Sequence, residues 1–204
     1  IRILTMAHYD IIPPVTEAQV RGFCVNDTIT LNGTLYGIRD ATQIHMFDRG
    51  RTTRFDLRGH AAIHTAPNVK QVERSARFPA GYAPLCIGTT TSARMVRFTE
   101  GLGSQYGVRA ICGKGGFPDE AIEQMARLGM VYFAIVGGAA ALETTQIEEI
   151  EEVAWEELMP ECLWKFRVKD FGPLIVGIDA HGDSLYRDVQ AAARKKLEEL
   201  YARL

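Results

Sequence analysis

Apolar positions along the chain fall into two regimes. In the first, short runs such as Thr28 to Tyr36, with an Asn32-Gly33 turn signal inside it, and Ala61 to Ala66 read as strands of a small β layer. Between them Asp40 to Asp48 fits a short helix, with Asp40 as cap and Gly50 beyond the stop. The polar stretch Pro67 to Ala80 reads as a surface loop.

From Pro84 onward a unit repeats: apolar run, Gly-containing turn, amphipathic helix, the signature of a parallel βαβ layer. Pro84 to Ile87 leads into GTTTSARM and a helix through Met95, Phe98 and Leu102. Val108 to Cys112 leads into GKGGFPDE and a helix with Ala121, Ile122, Met125 and Leu128 on one face, ended by Gly129. Val131 to Val136 leads into GGAAALE and an acidic segment whose apolar positions, Ile147 and Ile150, are spaced for a helix with a solvated acidic face. Leu174 to Ile178 is a further strand, and Asp188 to Leu204 a closing helix. The expectation is one α/β domain over residues 1–204, a mostly parallel sheet with helices plus a smaller N-terminal β layer.

Composition narrows the classes. With 204 residues, 47% of them apolar, the chain can bury a core. A net charge of -2 argues against general binding of nucleic acid or anionic lipid. Met130 to Leu142, the longest apolar stretch, is broken by a Gly pair and is shorter than the ~20 residues a membrane span needs. With no signal-peptide pattern visible, the expected location is cytoplasmic. Cys24, Cys86, Cys112 and Cys162 lack metal-site spacing, so no metal site is expected on this chain, and Cys86 and Cys112 read as core packing.

Two of the strand-to-helix turns share a design of small residues, exposed N–H groups and a nearby cation: Thr89 to Ser92 with Arg94, and Gly115 and Gly116 with Lys114. Helix starts and free N–H groups favour anions, and Arg or Lys adds full charge. Parallel sheets place ligands beyond the C-terminal ends of their strands, where both turns are expected. The pair suggests a small polyanion, although either turn alone could be a tight connection.

GTTTSARM, GKGG, VGGAAALETTQIEEIEEV and FGPLIVGIDAHGDSLY, in that order, resemble the β component of class I iron–sulfur fumarases and L(+)-tartrate dehydratases, from about Leu31 to Tyr186. EEVAWEEL, MPECLW and DFGPLIVGIDAHG resemble the tartrate dehydratases more closely. The resemblance implies a swivelling β/β/α domain and a hydro-lyase that removes water from a 2-hydroxy dicarboxylic acid. L(+)-tartrate to oxaloacetate is the first expectation and malate/fumarate the alternative. It also implies a [4Fe-4S] cluster held by three cysteines on a partner α subunit, an α2β2-type hetero-oligomer, and a β homodimer when the chain is isolated.

By the same resemblance Thr90 takes the C3 proton, and Arg39, Arg94 and Lys114 hold carboxylates, with Gly115 of the lysine turn beside them. The sequence departs from the family at several places. Gln43 stands where RDxxH has His, with His45 two residues on, Thr89 replaces the Pro of GPTTS, and His64 lies in the stretch matching the family's AGP segment. Gln43 and His64 are therefore candidate substrate-binding residues. Bottom-up chemistry supports the cations more than the base: fixed positive charge stabilises the carboxylate charge that builds as a C3 proton leaves, whereas a Thr hydroxyl needs strong activation. A non-catalytic dicarboxylate-binding domain is the reading from another class.

Overall fold

The computed structural model describes residues 6–136, 138, 142 and 144–202. Its main sheet has the order β1 (His8–Ile11), β2 (Thr28–Ile38), β3 (Ala61–His64), β6 (Ala110–Gly113), β7 (Val131–Ala134), β9 (Leu163–Ile178), β8 (Ile147–Ala154). Strands β1, β2, β3, β6 and β7 are parallel, and β9 runs antiparallel to its neighbours β2, β7 and β8. β9 also pairs with β2 along most of its length, so β2, β3, β6, β7 and β9 close into a ring. Closure leaves only β1 and β8, each paired on one side, as edges of the sheet.

Each central strand is apolar on both faces because both are covered, as buried parallel strands require. Ala61, Ile63, Ala110, Cys112, Val131 and Phe133 point into the ring with Trp164, Phe166 and Leu174. The intervening Ala62, Ile111 and Tyr132 face outward against Leu102 of α3 (Thr99–Ser104) and Ala121, Ile122 and Met125 of α4 (Asp119–Leu128). α4 ends as expected, Gly129 taking the left-handed conformation at φ 63.

Several expectations are corrected. The N-terminal strands are no separate layer: they belong to the main sheet. Asn32-Gly33 is no turn. Gly33 (φ 93) sits at a bulge where the β2–β9 register shifts, a place for extra twist in a continuing strand. Pro84 to Ile87 does not enter the parallel sheet. It forms most of β5 (Tyr82–Cys86), which pairs antiparallel with β4 (Asn68–Gln71) inside the stretch expected to be a loop. Pro84 has no N–H to give, which suits a two-stranded ribbon better than a central strand. Cys86, in this ribbon, is only half-buried, whereas Cys112 is wholly buried.

The acidic segment is the strand β8, not a helix. The GGAAALE turn before it falls largely outside the described residues. Asp40 to Asp48 is helical, as α2 (Asp40–Gln43) and a π turn over Ile44–Asp48, but Arg39 occupies the cap position and Asp40 the first turn. The closing helix α5 runs Leu185–Tyr201 and buries no residue; the end of the expected helix, 203–204, lies outside the described residues.

Candidate active site

Arg39, His64 and Lys114 stand at or just beyond the C-terminal ends of β2, β3 and β6, neighbouring parallel strands. The loop carrying Thr90 is laid between the ends of β3 and β6 in extended form, which its β-branched threonines favour. Thr90 N–H donates to the His64 carbonyl at 2.7 Å, and Thr65 and Thr89 form an antiparallel bridge. On the other side Thr91 bridges Lys114, and Ser92 N–H donates to the Lys114 carbonyl at 3.1 Å. The threonine loop and the lysine loop are thus joined through their backbones.

This geometry corrects two details of the sequence reading. The threonine turn does not lead straight into an α-helix, and Thr90 stays in the extended loop before it. The helix is a 3-10 segment over Ser92–Phe98 with Thr91 at its cap, and α3 follows it. Gly115 and Gly116 do not open a helix either: α4 begins at Asp119, and Asp119 and Glu120 place negative charge in its first turn. What these loops offer an anion is therefore side-chain cations and loop N–H groups, not a helix dipole.

The cations differ in their surroundings. Arg94 Nη2 donates to Asp40 Oδ2 at 2.8 Å, and its side chain is 51% exposed. Arg39 Nε lies 3.4 Å from Asp40 and 3.3 Å from Glu161 Oε1, with its side chain 27% exposed. Glu161 Oε2 in turn accepts from Ala41 N–H at 2.8 Å, and Thr42 Oγ1 donates to the Glu161 carbonyl, so the arginine is anchored to α2 through a second chain segment. Gln43 Nε2 donates to the Arg39 carbonyl at 3.3 Å, while its buried Oε1 accepts no hydrogen bond from a described residue. Lys114 has no ion-pair partner among the described residues, and neither does the Thr90 hydroxyl have a hydrogen-bond partner among them.

His64 is buried, and its Nδ1 lies 3.0 Å from Ser92 Oγ. Ser92 Oγ lies 3.0 Å from the Tyr132 hydroxyl, which donates to the Gly115 carbonyl at 2.9 Å. Burial pushes the His64 pKa down to about 3 and raises that of Tyr132, so both are neutral near pH 7. The structure brings Thr90, His64, Lys114 and Gly115 into one cluster and Arg39, Gln43 and Arg94 into another, linked through the chain from Ser92 to Arg94. Tyr132 and Glu161 are not among the residues the sequence points to, whereas Ser92 is marked there as part of the threonine turn and Asp40 as a helix cap. Tyr132 carried a signal, since a tyrosine inside a buried strand needs a partner for its hydroxyl; Glu161 carried none.

The cluster lies on an open edge. A cleft of about 650 Å³ begins beside it, at Ala93 and Gly116, and runs along Tyr186, Arg187 and Arg194 of α5, but Thr90, Arg39 and Arg94 are not in its walls. A metal cluster does not fit the donors present. Among the described residues no three His, Cys, Asp or Glu side chains gather, and the four cysteines lie in separate segments.

The chain matches the family model described as Fumarase C-terminus over residues 5–189. It is 38% identical over 173 residues to the L(+)-tartrate dehydratase subunit beta of Escherichia coli strain K12, covering 84% of this chain and 83% of that one. It is 36% identical over 191 residues to a protein of Methanocaldococcus jannaschii provisionally named L(+)-tartrate dehydratase subunit beta, covering 91% and 95%. A protein of Geobacillus stearothermophilus provisionally named fumarate hydratase class I is 33% identical over 187 residues, which are 91% of this chain and 35% of that protein.

Proposed function

This chain belongs to the fumarase C-terminus family, and from that premise we propose that it is the β subunit of an iron–sulfur hydro-lyase that converts L(+)-tartrate to oxaloacetate. The observation carrying the proposal is the gathering of Arg39, Arg94, Lys114 and Thr90 at the C-terminal ends of neighbouring parallel strands, with Lys114 and the Thr90 hydroxyl left unengaged by the described residues. Ligands of open α/β sheets bind at such strand ends.

Loss of water from tartrate breaks the C3–H and C2–O bonds and leaves an enol, which tautomerises to oxaloacetate. Charge builds on the carboxylate next to C3 as the proton leaves, and pre-placed cations stabilise that charge. Lys114 and Arg94 hold the carboxylates. Arg39 supports Arg94 through the shared Asp40, and Gly115 offers a loop N–H. Thr90 takes the C3 proton through its alkoxide form, which the cations around it favour. Gln43 and His64 line the substrate's remaining edge. Three cations against Asp40 and Glu161 leave one excess positive charge, fewer than two substrate carboxylates require.

An open edge, an incomplete charge balance and a donor set unfit for a cluster all favour a site completed by another chain. We assign the [4Fe-4S] cluster and its three cysteines to an α subunit, in an α2β2-type complex. The share of the Geobacillus protein lying outside the match supports this division. That relative also supports the second reading, malate and fumarate as substrates.

The test is anaerobic co-expression with the α candidate encoded nearby, followed by assays of L(+)-tartrate and malate. Turnover of tartrate above malate is expected. Preference for malate moves the assignment to fumarate hydratase, and binding of either acid by the chain alone without turnover in the complex favours a non-catalytic dicarboxylate-binding domain.

A further inference from the structure

We propose that Ser92 and Tyr132 are positioning residues. They form a one-way hydrogen-bonded chain from His64 to the Gly115 carbonyl that clamps the lysine loop to the threonine loop and fixes His64 as its Nδ1–H tautomer. Only the kinetic consequence of this chain rests on the hydro-lyase reading.

The direction follows from counting protons. A carbonyl oxygen only accepts, so the single hydroxyl proton of Tyr132 goes to Gly115 O, 2.9 Å away. At the 3.0 Å contact with Ser92 the Tyr132 oxygen must then accept, which commits the single proton of Ser92. Ser92 has only lone pairs left for His64 Nδ1, at 3.0 Å, so Nδ1 carries the hydrogen. In a neutral imidazole the other nitrogen is then bare. Nε2 is buried and receives no hydrogen bond from a described residue, a costly state that the rest of the chain enforces.

Local backbone features agree. A Cβ at Gly113 would collide with Ser92 Oγ and lie 3.1 Å from the Tyr132 hydroxyl, so glycine leaves the space in which the two side chains meet. Gly115 takes φ 75, a left-handed conformation that favours glycine, within the loop whose carbonyl Tyr132 holds. The backbone ties between the loops include one long contact, Lys114 N–H to the Thr90 carbonyl at 3.5 Å. The hydroxyl chain is the second fastening: it ends one residue from Lys114, and its link Ser92 lies two residues from Thr90.

Nitrogen-15 NMR of histidine-labelled full chain reads the tautomer directly, with the His64 signals identified by their loss in His64→Gln. The expected result is protonated Nδ1 and bare Nε2. In Tyr132→Phe the Ser92 proton has no tyrosine to serve and turns to Nδ1, and the tautomer inverts. In the reconstituted complex Tyr132→Phe and Ser92→Ala should each lower kcat/KM at least about tenfold, since small misplacements of reacting groups are costly. Ser92→Ala breaks the same chain at another link without altering the buried strand β7 and serves where Tyr132→Phe fails to fold. A wild-type His64 protonated on Nε2, or a tautomer unmoved in Tyr132→Phe, overturns the chain. Inversion with unchanged kinetics overturns the positioning role. A wild-type complex that turns over neither acid sinks the hydro-lyase reading, and the NMR result still decides the chain.

Discussion

Lys114 and Arg39 carry the same charge at the same end of the sheet, yet their removal should read differently. Lys114 has no counter-charge among the described residues, so Lys114→Ala gives up only what the lysine does for substrate. Loss of a charge-assisted contact costs about 1.5 to 3 kcal/mol, which predicts a fall of roughly tenfold to 150-fold in kcat/KM with an unchanged melting temperature. Arg39 instead neutralises Asp40 and Glu161. Arg39→Ala should lower both kcat/KM and the melting temperature, because part-buried carboxylates lose their partner. For Thr90→Val the expectation is near-normal substrate binding with lost turnover and lost deuterium exchange at C3; retained exchange would return the base to another residue.

His64 supplies a residue-scale prediction about pH. Unfolded, its imidazole takes a proton near 6.5; folded, burial delays protonation to about pH 3. Between those values the unfolded state binds the additional proton, so stability is complete above about pH 6.5 and is lost as the pH falls. The slope from this group approaches 1.4 kcal/mol per pH unit within the window. Urea melts from neutral pH down to about pH 4 should show it, and His64→Gln should flatten the decline. His60, whose pKa burial also lowers, leaves a residual slope of the same sign.

At the scale of elements, what was legible depended on whether periodicity reported the real backbone. β6, α4 and β7 follow their patterns because both faces of the strands and one face of the helix are buried. β8 misleads for a physical reason. Its register against β9 shifts between Ile147 and Glu149 and again between Ile150 and Glu152, so each irregularity adds a residue and the buried positions Ile147, Ile150 and Val153 recur every third residue. A bulged strand then carries a helix-like spacing. Its glutamates are not a free helical face: they pair across the ladder, Glu149 and Glu151 with Arg167, and Glu152 with Lys165. The same blindness hid the first half of β9 and the contribution of Glu161, whose roles depend on segments far apart in sequence. α5 shows the converse, a correct helix whose apolar stripe has no cover among the described residues. Leu197 and Leu200 are half exposed there, so Leu197→Glu with Leu200→Glu should leave the melting temperature of the isolated chain within about 2 °C, as surface changes usually do.

For the molecule as a whole, the closed ring lets a chain be well folded by itself while, on the proposed function, it supplies only part of an active site. β9 ties β2, β7 and β8 together, and the ring interior is filled by Phe133, Trp164, Phe166 and other wholly buried side chains, so most of the core lies away from the strand ends where the candidate residues stand. The core thus lies within the ring and the proposed site at its open edge. The isolated chain should accordingly show a cooperative unfolding transition, hold no stoichiometric iron, and turn over neither tartrate nor malate. Addition of the cluster-bearing partner should restore turnover without raising the β chain's own stability by more than the binding energy supplies. Iron determination, calorimetry and steady-state assay on the same preparations check each part. A chain that alone binds several irons or dehydrates either acid would show that the site is complete in itself, and the division of labour between two subunits would have to be abandoned.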